Sequence, residues 1–183
     1  MAPSGNSAAP ALDAALRAGQ LAGDWALDPS RSQVRLRSKS MWGMVPVKGV
    51  FGRVSGSGTV SPAGEVSGTI TVAAASIDTK NKKRDEHLRS ADFFDAENHP
   101  SLTFSVDGST VSGDGARVTG TLTVRDRARP LSFDARVSAF DGAEVWLDAE
   151  VKVNRADFGL TWNRLGMASV DNVITVHAVF SRP

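Results

Sequence analysis

Hydrophobic and polar residues alternate along most of this chain. In "SQVRLRS", Val34 and Leu36 share one face and Arg35 and Arg37 the other. "VKGVFG" aligns Val47, Gly49 and Phe51, and "VSGTITVAA" aligns Val66, Gly68, Ile70, Val72 and Ala74. The period of two continues in "SLTFSVDG" (Leu102, Phe104, Val106), "RVTGTLTVR" (Val118, Gly120, Leu122, Val124) and "LSFDARV" (Leu131, Phe133, Ala135, Val137). "EVWLDAEVKV" sets Val145, Leu147, Ala149, Val151 and Val153 against Trp146, Asp148, Glu150 and Lys152, and "VITVHAVF" aligns Ile174, Val176, Ala178 and Phe180. Such alternation predicts antiparallel sheet wetted on one face. "SPAG", "DGSTVSGDG" and "FDGA" fall between these runs and predict hairpin turns. About eight short, locally joined strands fit an up-and-down barrel or a sandwich. Even spacing and the inward glycines Gly49, Gly68 and Gly120 favour the barrel, because glycine lets strands bend and leaves room inside.

Two segments break the pattern. In residues 77–100, "KRDEHLRSADFF" predicts a short helix capped by Thr79 or Asn81, with Leu88, Phe93 and Phe94 turned inward as a lid. At the other break, residues 1–10 are rich in Ala, Pro, Ser and Gly and are expected to be disordered. Residues 11–21 place Leu12, Ala15 and Leu16 on one side of a helix that is marginal unless docked. The expected division is a flexible leader, 1–22, possessing at most a short helix, and a barrel domain, 23–183.

Composition narrows the function. The chain has 183 residues, enough for one domain with a real core. Its net charge is +1, from 21 basic and 20 acidic residues, which gives no electrostatic reason to expect nucleic acid or an anionic membrane as the main partner. The absence of cysteine excludes disulfides, thiol catalysis and cysteine zinc sites. No stretch approaches the roughly 20 apolar residues of a membrane-spanning helix. "MAPSGNSAAPALDAALRAGQLAG" lacks a basic start, and Asp13 and Arg17 interrupt its apolar part, so a cytoplasmic location without a secretory signal is expected.

Candidate chemistry concentrates in "RDEHLRSADFFDAENHP", residues 84–100. A metal site would draw on His87, His99 and the acids Asp85, Asp92, Asp95 and Glu97, but this spacing matches no standard ligand set. Asp85, His87 and Ser90 sketch a triad, yet all three fall on one short helix and no strained Gly-x-Ser-x-Gly turn is present. No catalytic residue and no metal ligand is therefore assigned. Asp85 is expected to serve in a structural hydrogen-bond network with Arg84 and His87 that holds the lid, as a carboxylate near an arginine most often pairs, and Arg155 is expected to pair with Asp157 or another carboxylate. Met41, Trp42 and Met44 in "SMWGMVPVKG" suit either an adaptable rim for an apolar ligand or the cover of one barrel end.

Taken in order, these segments resemble the YceI-like family of polyisoprenoid-binding, lipocalin-like barrels, over about residues 24–181. The most specific match is "SIDTKNKKRDEHLRSADFFDAENHPSLTF", residues 76–104. "WALDPSRSQVRL", "VKGVFG", "VTGTLTVRDRARPLSF" and "NRADFGL" add to it. Two departures stand out. Many family members begin with a secretory signal, and the hairpin after Val124 usually holds a glycine where this chain has "RDRARP".

The resemblance implies an all-β fold: an antiparallel, lipocalin-like barrel with a short helical lid. It also implies a non-catalytic function, binding a long-chain apolar lipid (isoprenoid quinone, polyprenyl phosphate or fatty-acid derivative) for carriage, storage or sensing. The expected apolar tunnel and lid comprise Trp42, Met44, Phe51, Ile70, Val72, Leu88, Phe93, Phe94, Phe104, Leu122, Phe133, Leu147, Phe158 and Trp162. Arg84, His87 and Arg155 are the head-group candidates. No cofactor beyond a bound isoprenoid or acyl lipid is expected, and no nucleic acid; a homodimer is allowed. A filled barrel serving as an adaptor is the main alternative, and a metal-dependent or hydrolytic enzyme the lesser one.

Overall fold

The computed structural model describes residues 8–183, with the backbone alone at Arg164. Alternation becomes sheet throughout. The strands are β1 (Gly23–Leu27), β2 (Gln33–Ser40), β3 (Val45–Phe51), β4 (Val54–Val60), β5 (Val66–Ala73), β6 (Ile77–Asp78), β7 (Ser101–Ser112), β8 (Gly115–Val124), β9 (Arg127–Phe140), β10 (Glu144–Asn154) and β11 (Asp171–Ser181). Two helices, α1 (Ala8–Arg17) and α2 (Lys82–Arg89), accompany them.

The eleven segments reduce to eight staves. β1 and β2 lie end to end along one edge of β11, with Leu27 opposite Phe180 and Gln33 opposite His177. β3 and β4 form a second bent stave, pairing with β2 and β1 respectively. β5 and β6 form a third, against β4 and β3. From there β7 to β11 follow as a simple meander, and the pairing of β11 with β1 closes the antiparallel barrel. Closure joins the first and last staves, while β6 keeps β3 as its one strand neighbour and β10 pairs with β9 only from Val145 to Ala149.

The break between β1 and β2 is held by charge. Asp28 accepts hydrogen bonds from Ser30 N and Oγ and from Arg31 Nε, and Arg31 reaches across to Glu144 on β10. Ser30 first, then Arg31, lower the Asp28 carboxyl to about 2. A lowered carboxyl contributes fully above its unfolded value and loses that contribution as pH falls through about 2.

Two expectations need refining, and one strand was not foreseen. The turn expected in "DGSTVSGDG" is confined to its far end: β7 runs on to Ser112 through a register shift between Val106 and Gly108, and the reversal occurs at Gly113 and Asp114. β4, "VSGSGTV", carried no apolar signal because Gly56 and Gly58 alternate with exposed Ser and Thr. The inward glycines permit close approach rather than leave space. A Cβ on Gly120 would lie 2.1 Å from Ser105 O and 2.6 Å from the Phe104 ring; on Gly68 it would lie 2.6 Å from Ser57 O. A Cβ on Gly49 would lie 2.9 Å from the Ile77 side chain.

The leader also differs from expectation. α1 starts at Ala8 and is docked, burying Ala8, Ala9, Leu12 and Ala15 against Leu21, Trp25, Val137 and Val145. Trp25 Nε1 donates to Leu21 O at 2.9 Å and fixes the chain after the helix. Packing supplies the stability that so short a helix lacks alone. Residues 1–7 lie outside the described residues. α1 thus covers one end of the barrel, and α2 with the 155–170 loop and the β2–β3 tip occupies the other.

Gly120→Ala should destabilise the barrel by about 1–3 kcal/mol, because the new methyl group has no place to go. A lower urea midpoint at unchanged m-value checks this.

Candidate functional site

Inward residues of a filled barrel interdigitate and lose contact with solvent-sized space. Here Ile70, Phe104, Phe133, Leu147, Ala149, Ile174 and Val176 point inward and remain only partly buried. They surround a cavity of about 260 Å³. For scale, an apolar cavity of about 150 Å³ stays dry and admits benzene. Among the described residues the wall carries no charged side chain, and a water needs about 2–4 polar partners to settle. Such a space suits hydrocarbon.

Several expected tunnel residues do line it. Phe51, Ile70, Val72 and Leu122 stand toward the α2 end, and Phe104, Phe133 and Leu147 belong to the wall. The Phe104 and Phe133 rings pack at 5.4 Å between centroids. Leu12 and Leu16 of α1 form the opposite end wall. The helical spacing of those two leucines was legible, but their destination was not.

The remaining residues lie elsewhere. Trp42 and Met44 sit on the β2–β3 tip, 63% and 72% exposed, and line no part of the cavity. Leu88, Phe93, Phe94, Phe158 and Trp162 pack into clusters beyond the cavity floor, with Phe94 edge-on to Phe51 at 5.9 Å. The lid segment is therefore a plug beneath the cavity rather than its wall.

Polar contacts hold the plug. Asn81 caps α2 by accepting from Arg84 N, as one of the two expected caps. Asp85 takes its expected place in a structural network at the lid, but through Thr79: its Oδ1 accepts from Thr79 N at 2.9 Å and Thr79 Oγ1 at 2.6 Å, and among the described residues no arginine pairs with it. Arg84 donates to Thr79 Oγ1 and O. Arg89 donates to Ala75 O and Ile77 O, tying α2 to the barrel rim. Arg125, left-handed at φ 57°, occupies the turn after β8, and its guanidinium reaches Ala91 O and Phe93 O.

Arg155 also departs from expectation. It is 8% exposed and donates to the carbonyls of Leu160, Trp162, Ser169 and Ala168 rather than to Asp157. Burial pushes its guanidinium below the ordinary value. The guanidinium also lies 5.4 Å from the Phe93 ring centre, so it links the 155–170 loop to the plug. Phe158 is buried, and Gly159 turns the chain at φ 77°.

None of Arg84, His87 and Arg155 lines the cavity. His87 Nε2 lies 2.8 Å from Asp92, and its ring stands edge-on to Trp162 and Phe93. Ser90 Oγ donates to His87 O, so Asp85, His87 and Ser90 do not converge. Among the described residues no three His, Asp or Glu side chains are grouped to hold a metal. No described helix is long and apolar enough to cross a membrane.

A family model for the YceI-like domain matches residues 25–181. The chain belongs to the YceI-like family. Protein YceI of Escherichia coli O17:K52:H18 is 33% identical over 117 residues, 60% of this chain and 61% of that protein. A UPF0312 protein of Serratia proteamaculans is equally similar, over 60% of each chain. These aligned segments span about three fifths of the relatives they match. Among solved structures, Burkholderia cenocepacia BcnA superposes with a TM-score of 0.75 at 27% identity, covering 84% of this chain and 98% of its own. A polyisoprenoid binding domain from Saccharophagus degradans, implicated in plant cell wall breakdown, gives 0.71 at 17% identity, over 87% and 98%, and so shares the fold. The YceI-like barrel thus has an apolar cavity lined at one end by its docked N-terminal helix, with the aromatic clusters of the 77–100 segment outside that lining.

Arg155→Met should lower stability by about 3–5 kcal/mol, since it strands several buried carbonyls at once. Arg155→Lys should recover only part of the loss, because an ammonium cannot span the same acceptors. Thermal melts of both variants test the ranking.

Proposed function

We propose that this YceI-like barrel binds the hydrocarbon part of an isoprenoid or acyl lipid in its interior and performs no chemistry on it. The carrying observation is the hollow, charge-free wall, whose inward residues stay partly accessible. Each methylene transferred from water contributes about 0.8 kcal/mol, so a modest tail supplies ample gross energy. Ordering the tail and drawing it from a membrane offset much of that. The polyisoprenoid-binding description of the Saccharophagus degradans neighbour agrees with this ligand class, although its 17% identity speaks for fold alone.

The cavity size sets a constraint. About 260 Å³ lies just below the roughly 300–1,000 Å³ of common ligand sites. A short acyl or prenyl segment fits as the barrel stands. A longer tail requires one end to yield, and α1 is the end that touches the cavity, through Leu12 and Leu16. The wall offers a head group no charge, so a polar head rests outside the hydrocarbon space. A filled adaptor barrel fits the partly accessible inner wall less well, and a hydrolase fits the separated Asp85, His87 and Ser90 less well.

Organic extraction of the purified protein followed by mass spectrometry should yield a stoichiometric isoprenoid or acyl species; repeated recovery of none would count against the reading. Ala149→Phe fills the cavity from β10 and should abolish that recovery while the melting transition stays cooperative. Undiminished lipid in a folded Ala149→Phe protein would move the site off the interior.

A further inference from the structure

The exposed large hydrophobic residues among the described ones are Met41, Trp42, Met44, Val45, Leu165 and Val170. All belong to the β2–β3 tip and the 155–170 loop at the α2 end, and the two segments are joined. Trp42 N donates to Met167 O at 3.2 Å, and Ser169 N donates to Lys39 O at 2.9 Å. Met41, Trp42 and Leu165 hold left-handed backbone at φ 52°, 54° and 55°. Such turn positions ordinarily take glycine or asparagine, and bulky residues there cost stability. The chain spends stability to present these side chains to solvent.

Immediately behind the apolar tip lies a cationic tier. Strand register sets Lys152 opposite Val173, Val173 opposite Arg37, and Arg37 opposite Lys48. Lys39 lies between this row and the tip, opposite Pro46. All four basic residues are exposed. Arg37 and Lys48 are like charges directly across a ladder, an arrangement that is itself unfavourable. Glu150 lies 3.8 Å from Arg37 and is more than half exposed, and Asp171, also exposed, precedes Val173 by two residues on β11. At about 3.3 Å per residue, Lys48 sits roughly 10 Å behind Val45 along the strand. That spacing matches an apolar tip seated at the headgroup–acyl boundary with cations level with the phosphates. A net charge of +1 conceals this clustering.

We infer that the β2–β3 tip and the 155–170 loop form a docking surface for an anionic lipid bilayer, with Trp42, Met44 and Leu165 entering the interface and Lys39, Arg37, Lys48 and Lys152 facing lipid phosphates. Charge chooses this occupant over a second copy, because a symmetric dimer would set like-charged rows against one another. The inference stands on the surface and does not require a lipid in the cavity.

Vesicle flotation tests it with the full chain and vesicles of phosphatidylcholine, alone or mixed with phosphatidylglycerol. Binding should be confined to the mixed vesicles and should weaken as salt rises. Trp42→Ser should weaken it about tenfold, equivalent to about 1.4 kcal/mol. Lys39→Gln and Lys48→Gln should each weaken it about fivefold, equivalent to about 1 kcal/mol per charge near the surface. Absence of binding to mixed vesicles, or binding that these exposed substitutions leave unchanged, overturns the inference. So does sedimentation showing a dimer that Trp42→Ser dissociates when no vesicle binding is seen. Extracted lipid is measured on the same preparations. No vesicle binding by the unsubstituted chain, with lipid still extracted from it, sinks the docking surface alone; vesicle binding without any extractable lipid sinks the carrier reading alone.

Discussion

Closure of the sheet is the constraint on which everything else rests. Eight staves meet their neighbours in sequence order, and β11 then meets β1 and β2. A ring of eight staves sets a diameter that side chains either just fill or leave open for one small ligand, and here they leave it open. Staves must bend to close, and the breaks within the first three provide the bends. Close approach at Gly120, Gly68 and Gly49 tightens the wall, while the hollow lies where larger side chains stop short of meeting. Interior space is therefore a property of the ring and not of the glycines.

The two ends solve the problem of capping a ring by different means. α1 lays apolar residues over one opening and leaves the cavity directly beneath. Polar bonds to backbone carbonyls from Arg84, Arg89, Arg125 and Arg155 secure the other end, over an aromatic plug. Arginine suits that task because its rigid fork spans several acceptors at once. An end held by greasy contact is the easier to displace, since no buried hydrogen bond must break. For the proposed lipid site, this asymmetry points to α1, rather than the 77–100 segment, as the boundary a longer tail would have to displace.

The outer surface adds a second asymmetry. Apolar tip residues and a basic row share the α2 end, and both arise from strand register rather than composition. Carrying a lipid and meeting a lipid surface are separate physical tasks, one relying on enclosed apolar volume and the other on exposed apolar tips with charge behind them. The barrel holds features suited to each, on different parts of its surface.

Alternation at Val34–Leu36, Ile70–Val72, Phe104–Val106 and Leu147–Val151 was enough to establish the sheet, and the motif in 76–104 was enough to establish the family. The inner-wall positions Phe51, Ile70, Val72, Phe104, Leu122, Phe133 and Leu147 followed from the same period, because inside and outside differ by one residue along a strand. β4 escaped because glycine carries no hydropathy signal. The placement of Trp42 and Met44 outside the cavity, the seating of Leu12 and Leu16 within it, and the carbonyl cage around Arg155 were decided only in three dimensions. Each depends on segments far apart in sequence meeting at an end of the barrel. Local pattern tells a strand which way its side chains point; only the closed ring determines what they point at.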